Sequence, residues 1–247
     1  MEDKLRFIDI HSHILPEIDD GARDFEESLL MMNEVREAGG KGIVLTPHVA
    51  IDGSETKILD KIGHQYDLLN RLALERGIAV DLYLGAELML HPELPQRIKG
   101  DKRLTVNRKG KYVLIEMPFF EIPFYAPSIF FNLLACGITP IWAHPERCPE
   151  VIDDFNSVRA YTGNGVKLQI NSGSLAGIYG RKIKRAAIML FENGLGHILA
   201  SDTHSPDEME KSLSRGYSSI VKIAGKEKAL EICEKMPSRI TGTKKGR

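Results

Sequence analysis

The sequence predicts an α/β protein, a (β/α)7 barrel of the TIM type. Three observations predict it. Short apolar runs alternate with longer stretches of helical periodicity, giving seven β-then-α units. So many such units in 247 residues imply a parallel sheet that closes on itself. No linker, low-complexity block or composition shift divides the chain, so residues 1–247 read as one domain.

The elements follow in order. Phe7-Ile8-Asp9-Ile10 reads as the first buried strand, and Asp24 with Glu27 reads as a capping-box helix start. Leu29, Met32, Val35 and Ala38 recur at helical spacing until Gly39-Gly40 ends the helix. Gly42 to Thr46 is the second strand. Ile58, Ile62, Tyr66 and Leu69 mark a long helix that Gly77 stops. Ala79 to Leu84 is the third strand, and a short helix spans Pro92 to Ile98. Strands at Tyr112 to Ile115, Thr139 to Ala143, Val166 to Ile170 and Ile198 to Ala200 complete the set. Helices are expected at Pro127 to Cys136, Arg181 to Asn193 and Asp207 to Lys235.

Composition narrows the classes of function. Hydrophobic residues make up 43% of the chain, enough for a core without covalent staples. The net charge is −1 with acids and bases scattered, which argues against nucleic acid and anionic membranes as partners. Cys136, Cys148 and Cys233 fit neither a zinc knuckle nor a disulfide framework, so reduced thiols and a cytoplasmic location are expected. The N-terminus does not read as a signal peptide, and no apolar stretch is long enough to span a bilayer.

The chemistry lies at the strand ends, which in a β/α barrel converge on one face. His11 and His13 leave the first strand at i, i+2 spacing, so both face the same side. Asp20 follows in an Asp19-Asp20-Gly21 turn. Later ends carry His48, Glu87, Glu116, His144, Asn171, Asp202 and His204. Asn171 reads equally as an orienting group or a turn residue. Nitrogen and carboxylate donors without thiolate suit zinc, manganese, iron or nickel. Nine candidate ligands (His11, His13, Asp20, His48, Glu87, Glu116, His144, Asp202, His204) are too many for one ion and suit two or three ions bridged by carboxylate. Such a cluster activates water and neutralises phosphoryl oxygens, so in-line hydrolysis of a phosphate ester is the expected reaction. Arg147, three residues past His144, offers a planar guanidinium for a bidentate grip on phosphate.

These motifs carry a resemblance. Asp9-Ile10-His11-Ser12-His13, Ile18-Asp19-Asp20-Gly21-Ala22, Glu26-Glu27-Ser28, Thr46-Pro47-His48, Gly85-Ala86-Glu87, Leu114-Ile115-Glu116-Met117, Ala143-His144-Pro145-Glu146-Arg147, Gln169-Ile170-Asn171-Ser172 and Ala200-Ser201-Asp202-Thr203-His204 run from Phe7 to His204. In that order they resemble the PHP (polymerase and histidinol phosphatase) superfamily. More closely, they resemble its bacterial metal-dependent protein-tyrosine phosphatases encoded with capsular and exopolysaccharide genes. The resemblance implies the PHP fold and three divalent ions, most often manganese, with iron or zinc as alternatives. His11, His13, Glu87 and Asp202 would hold one ion. Glu87, Glu116 and His144 would hold the second, and Asp20, His48 and His204 the third. Arg147 would be the catalytic phosphate-binding group. The implied partner is a tyrosine-phosphorylated protein, in particular a tyrosine kinase of polysaccharide export. Close relatives assemble into rings, which points to a homo-oligomer joined through the helix from Asp24 to Gly39. Glu116 and Asp20 stand where other branches place histidine, and both choices favour the tyrosine-phosphatase branch over a histidinol-phosphate phosphatase. A metal-bound PHP domain without turnover is the remaining alternative, against which the complete ligand set argues.

One position departs from the family pattern. No arginine follows the Asp202-x-His204 motif until Arg215, and Lys211 is the substitute candidate for phosphate binding. The loop from Met117 to Tyr125 offers Phe119, Phe120 and Tyr125 either as a cap on the core or as a wall for an aryl ring. His64 and His91 match no motif and are expected at the surface, while His197 opens a strand and so lies at the other end from the site. Cys233 and Arg239 share the spacing of thiol-based tyrosine phosphatases, but the segment between them lacks glycine and continues a helix.

Overall fold

The computed structural model describes residues 6–118 and 120–243, apart from the side chains of Glu210, Lys211 and Ser214. Among the described residues nine strands are formed: β1 (Phe7–Ser12), β2 (Gly40–Leu45), β3 (His48–Val49), β4 (Asp81–Leu84), β5 (Glu87–Met89), β6 (Tyr112–Glu116), β7 (Thr139–Ala143), β8 (Lys167–Asn171) and β9 (Ile198–Ala200). The helices between and after them are, in order, α1 (Phe25–Ala38), α2 (Glu55–Glu75), α3 (Leu94–Gly100) and α4 (Ala126–Ala135). The short α5 (Pro149–Asp153), α6 (Arg159–Gly163) and α7 (Ser172–Ala176) follow, then the longer α8 (Arg181–Glu192) and the short α9 (Pro206–Lys211). The C-terminal region is helical to Thr241 apart from a break at Gly225, with wider π-helical turns at Ser212–Tyr217 and Glu231–Lys235.

The protein is an α/β fold of parallel sheets, one ordered β1-β2-β4 and the other β3-β5-β6-β7-β8-β9. Among the described residues nine strands appear where seven are expected because two short strands, β3 and β5, follow breaks just beyond the ends of the expected second and third strands. Pro47 has no N–H to give the ladder, and the break at Thr46-Pro47 separates β2 from β3. Gly85-Ala86 separates β4 from β5. Single hydrogen bonds carry the pairing across these breaks: Thr46 N to Ser12 O at 3.0 Å, Gly85 N to Leu45 O at 2.9 Å and Glu87 N to Pro47 O at 3.1 Å. At the far edge a parallel bridge joins Ser12 to Thr203, beside Asp202 N to His11 O at 2.8 Å and His13 N to Thr203 O at 3.1 Å.

Capping follows the sequence closely. Asp24 accepts from Glu27 N at 2.9 Å, while the Glu27 carboxylate reaches Arg23 N at 2.7 Å, one residue before the cap. The helices pack on one face of the strands to make the main core, in which Trp142, Phe130 and Phe7 are fully buried. The other face carries a second apolar layer of Ile8, Ile10, Val44, Leu114, Ile141, Ala143, Ile198 and Ala200, closed by Val106 and Ile240. Two residues beyond Leu114 and Ala200 of that layer stand Glu116, at the end of β6, and Asp202, just past β9. The layer is therefore the floor on which the polar cluster rests.

Candidate metal centre

Each polar side chain is aimed by its strand end. Glu116 keeps the β6 alternation that places Leu114 in the apolar layer. His144 and Asp202 leave β7 and β9 with φ of 36° and 52°, a left-handed conformation that turns their side chains out of the regular alternation. On β1 the register against β2 shifts between Asp9 and Ser12. Such an irregularity re-aims side chains, here at His11. The Asp19-Asp20-Gly21 turn folds back onto His13, with Ala22 N donating to His13 O at 3.0 Å. Only glycine fits at position 21, because a Cβ there would lie 1.9 Å from His13 O.

The result is a dense cluster. His11 Nε2 lies 3.1 Å from Glu87 Oε2 and 3.2 Å from Asp202 Oδ1. His13 Nε2 lies 3.3 Å and 3.4 Å from the same two atoms. His48 Nδ1 is 3.2 Å from Glu87 Oε2. His144 Nε2 is 3.1 Å from Glu87 Oε1 and 3.7 Å from Glu116 Oε1. Asp20 Oδ1 stands 3.5 Å from His204 Nε2 and 3.8 Å from His48 Nε2. Arg147 Nη1 donates to Asp202 Oδ2 at 3.3 Å. The structure thus brings all nine candidate ligands and Arg147 together. Phe120 stands in solvent at 89% exposure, and Tyr125 is half-buried against the core. Phe119 and the Lys211 side chain lie outside the described residues.

Hydrogen bonds to the remote ring nitrogens fix the tautomers. Gln169 Oε1 accepts from His11 Nδ1 at 2.9 Å, and Asp19 Oδ2 accepts from His13 Nδ1 at 2.7 Å. The Asp202 carbonyl accepts from His204 Nδ1 at 3.2 Å. With Nδ1 protonated, all three rings turn an Nε2 lone pair into the cluster, as an outer shell does for metal-binding histidines. Gln169 Nε2 passes the polarity on to Asn171 Oδ1 at 2.8 Å, and Asn171 Nδ2 donates to Asp202 Oδ2 at 2.5 Å. Asn171 is therefore an orienting group. Behind it, the buried Glu146 accepts from Asn171 N at 2.9 Å, and Asp9 accepts from Ser201 N at 2.9 Å.

The charges are set by mutual attraction against burial. Burial pulls the His11 imidazole down, but the carboxylates of Glu87 and Asp202 outweigh it and lift it to about 9. Burial acts against His13 in the same way, and its bond to Asp19 leads the groups that raise it well above the ordinary range. Burial pushes Glu87 and Asp202 up, but the surrounding imidazoles, His11 first with His13 and His144, together hold them below the ordinary carboxylate range. Glu116 is raised, first by burial and then by the Glu87 charge. With neutral imidazoles in place of the protonated His11 and His13, the buried carboxylates of Glu87, Glu116 and Asp202 carry three negative charges, and Asp20 adds a fourth at the exposed rim. Buried charge of that sign needs a compensating cation.

The donor set fits divalent metal. Three groups of side chains each offer ligand atoms within 4.8 Å of one another: His11, His13, Glu87 and Asp202; His13, Asp20, His48 and His204; and His48, Glu87 and Glu116. Glu87 Oε2 is buried without a hydrogen-bond partner among the described residues, although three imidazole nitrogens crowd it at 3.1–3.3 Å. An orphaned carboxylate oxygen facing converging lone pairs is what a bridging ligand requires. This grouping places His48 beside the Glu87–Glu116 pair, and it adds His13 to the outer set.

The strand-end pattern in the sequence does not single out Asp19, Gln169, Glu146 or Tyr179. Gln169 shares the β8 face with Asn171, a period-two signal. Asp19 sits beside Asp20 in the turn. Tyr179 carries no sequence signal, yet its ring centroid lies 4.9 Å from Arg147 Cζ.

Comparison with known proteins extends this picture. The tyrosine-protein phosphatase YwqE of Bacillus subtilis is 36% identical over 198 residues, 80% of this chain and 77% of its own. The tyrosine-protein phosphatase CpsB of Streptococcus pneumoniae is 31% identical over 238 residues, 94% of this chain and 97% of its own. Crystal structures of YwqE and CpsB, described as unique metal-dependent tyrosine phosphatases, include a chain that superposes with a TM-score of 0.86. That match has 31% identity and covers 96% of this chain and 95% of the other. The family model for capsular polysaccharide synthesis, CpsB/CapC, matches residues 7–241, and the chain belongs to that family.

Proposed function

We propose that this chain is a metal-dependent protein-tyrosine phosphatase that hydrolyses phosphotyrosine by in-line attack of water, without a covalent enzyme intermediate. The observation that carries the reading is the orphaned Glu87 Oε2, ringed by three imidazoles, with Arg147 on Asp202 of the same cluster. Relatives named as tyrosine-protein phosphatases support the choice of ester.

His11, His13, Glu87 and Asp202 would hold one divalent ion. Glu87, Glu116 and His144, with His48 at their edge, would hold a second. Asp20, His48 and His204, with His13 behind them, would hold a third. Manganese is the proposed ion. When bound, such ions acidify a water molecule and screen the charge of a phosphoryl group. The chain's own residues do the rest. Arg147 presents a planar fork to two phosphoryl oxygens. Gln169, Asn171 and Asp19 hold the ligands in one tautomer and one orientation, so little reorganisation accompanies reaction. The buried floor under the cluster keeps bulk water away from its inner half.

The seven strand positions are read as a distorted (β/α)7 barrel of one domain, with the Ser12–Thr203 bridge as its seam. Phe119, Phe120 and Tyr125 are proposed as an aromatic wall near the mouth, and Lys211 as a secondary anion contact. A tyrosine kinase of polysaccharide export is the proposed substrate, met in the cytoplasm. A homo-oligomer joined through α1 is proposed from the resemblance alone. No helix among the described residues is long and apolar enough to cross a membrane.

The test is hydrolysis of a phosphotyrosine peptide after chelation and again after adding Mn²⁺, beside His11→Ala and with histidinol phosphate as a second substrate. Metal-restored turnover of the peptide, absent in His11→Ala, is expected. Turnover of histidinol phosphate alone, or of neither ester, contradicts the reading.

A further inference from the structure

Only one arginine stands among the motif positions, so what holds its plane matters. Arg147 ends the short turn Pro145–Arg147, and its Nη1 reaches Asp202. It also meets Tyr179, which belongs to no motif. Tyr179 sits in a tight turn between Gly177 and Gly180, whose φ values of 86° and 93° favour glycine.

That turn is pinned to the rest of the site. Ile178 N donates to Gly173 O at 3.0 Å, and Gly177 N donates to Ser174 O at 3.1 Å. Ser174 Oγ in turn donates to Glu146 Oε1 at 2.7 Å. Glu146 is the residue before Arg147, so hydrogen bonds tie α7, the tyrosine turn and the arginine segment together. The Tyr179 ring also rests on bare backbone: a Cβ at Gly173 would lie 3.2 Å from Tyr179 Cε2 and 3.4 Å from Oη. The ring is thus held by Gly173 and offers a π face to the guanidinium, with Cζ 4.9 Å from the centroid.

We propose that Tyr179 is a positioning residue that fixes the plane of Arg147 and thereby sets how tightly the site grips phosphate. Arginine has much rotamer freedom to lose on binding, and an aromatic face that holds the guanidinium removes part of that loss beforehand. The identity of the anion rests on the phosphatase reading. Burial raises the Tyr179 phenol above its ordinary range, which keeps the ring neutral at physiological pH and leaves it as a π platform.

The test measures inorganic phosphate binding to Mn²⁺-loaded protein by calorimetry, and KM and kcat for a phosphotyrosine peptide, with metal content checked by elemental analysis. Tyr179→Phe keeps the π face and is expected within about 2-fold of wild type. Tyr179→Leu is expected to weaken phosphate binding and raise KM by roughly 2- to 30-fold, the range of a cation–π contact, with kcat and metal content little changed. Tyr179→Met, which fills the space without a π face, serves the same purpose should the leucine variant fail to fold. In an Arg147→Ala background both substitutions are expected to add nothing. An undiminished effect without Arg147, no effect with it, or equal losses for phenylalanine and leucine would overturn the proposal. If wild type shows this phosphate-binding pattern without peptide turnover, the phosphatase reading falls and Tyr179's role stands. If wild type binds no phosphate, both fall.

Discussion

The inner and outer halves of the cluster are built differently. His11, His13, Glu87 and Asp202 have side chains at most 3% exposed. Each of them also has a further hydrogen-bond partner that fixes it, among them Gln169, Asp19, His144 and Asn171. Asp20, His48 and His204 form a rim whose side chains are 72%, 40% and 26% exposed. Asp20 makes no hydrogen bond among the described residues beyond its approach to those two histidines. The inner half is preorganised in a dry pocket, where charge interactions are strong. The rim faces water, where they are screened. An ion held by the inner half is therefore expected to stay, and one held by the rim to exchange.

The largest effect that would break this comparison lies in the inner half. His11→Ala or Asp202→Ala should cost at least about 10³-fold in turnover, since each removes a proposed metal ligand worth several kcal/mol. Elemental analysis should show the loss of tightly held metal as well. Gln169→Leu comes next. It leaves every ligand in place but frees the His11 tautomer, and a loss of about 10- to 100-fold in metal affinity is expected by isothermal titration. Asp20→Asn should be milder and reversible, with turnover recovering as Mn²⁺ is raised because only the open position is weakened. If Asp20→Asn proves as damaging as His11→Ala at saturating metal, the distinction between the halves fails.

The smallest effect concerns the opposite end of the strands, where His197 precedes β9. Its Nδ1 accepts from Leu168 N at 3.2 Å, which requires the neutral ring. Burial, then the charges of Lys167 and Lys228, lower it to about 4. The unfolded imidazole takes up a proton near pH 6.5, so the unfolded chain binds more protons between about pH 6.5 and 4. The contribution of His197 is complete above that window and is lost as pH falls through it. His197→Leu should flatten the acid limb of stability by up to about 1.4 kcal/mol per pH unit there, as read by urea unfolding at pH 5 and pH 7.5.

Much of the inner half is legible in the sequence. His11 and His13 are visible because strand periodicity is short and strict, and Glu87 and Asp202 because strand ends share one face. The supporting residues are less so. Gln169 looks like an ordinary strand residue until β8 is paired with β7 and β9. Tyr179 meets Arg147 only because two glycine turns bring it there. The two short strands β3 and β5 are also hidden. Pro47 and Gly85 break pairing locally while the neighbouring hydrogen bonds carry the order across, so the sequence reads as seven strands and the ladder as nine. The cap of α1 uses the expected residues with a shifted partner, because Glu27 reaches Arg23 N rather than the cap's own N–H.

The metal centre is tested most directly by a crystal structure of the protein grown with Mn²⁺ and phosphate, with anomalous differences collected at the manganese edge. Metal peaks are predicted within ligand distance of His11, His13, Glu87 and Asp202, with weaker peaks at the rim set of Asp20, His48 and His204, and phosphate gripped by Arg147. Anomalous density absent from the inner half, or phosphate bound away from Arg147, would contradict a phosphatase centred on that half.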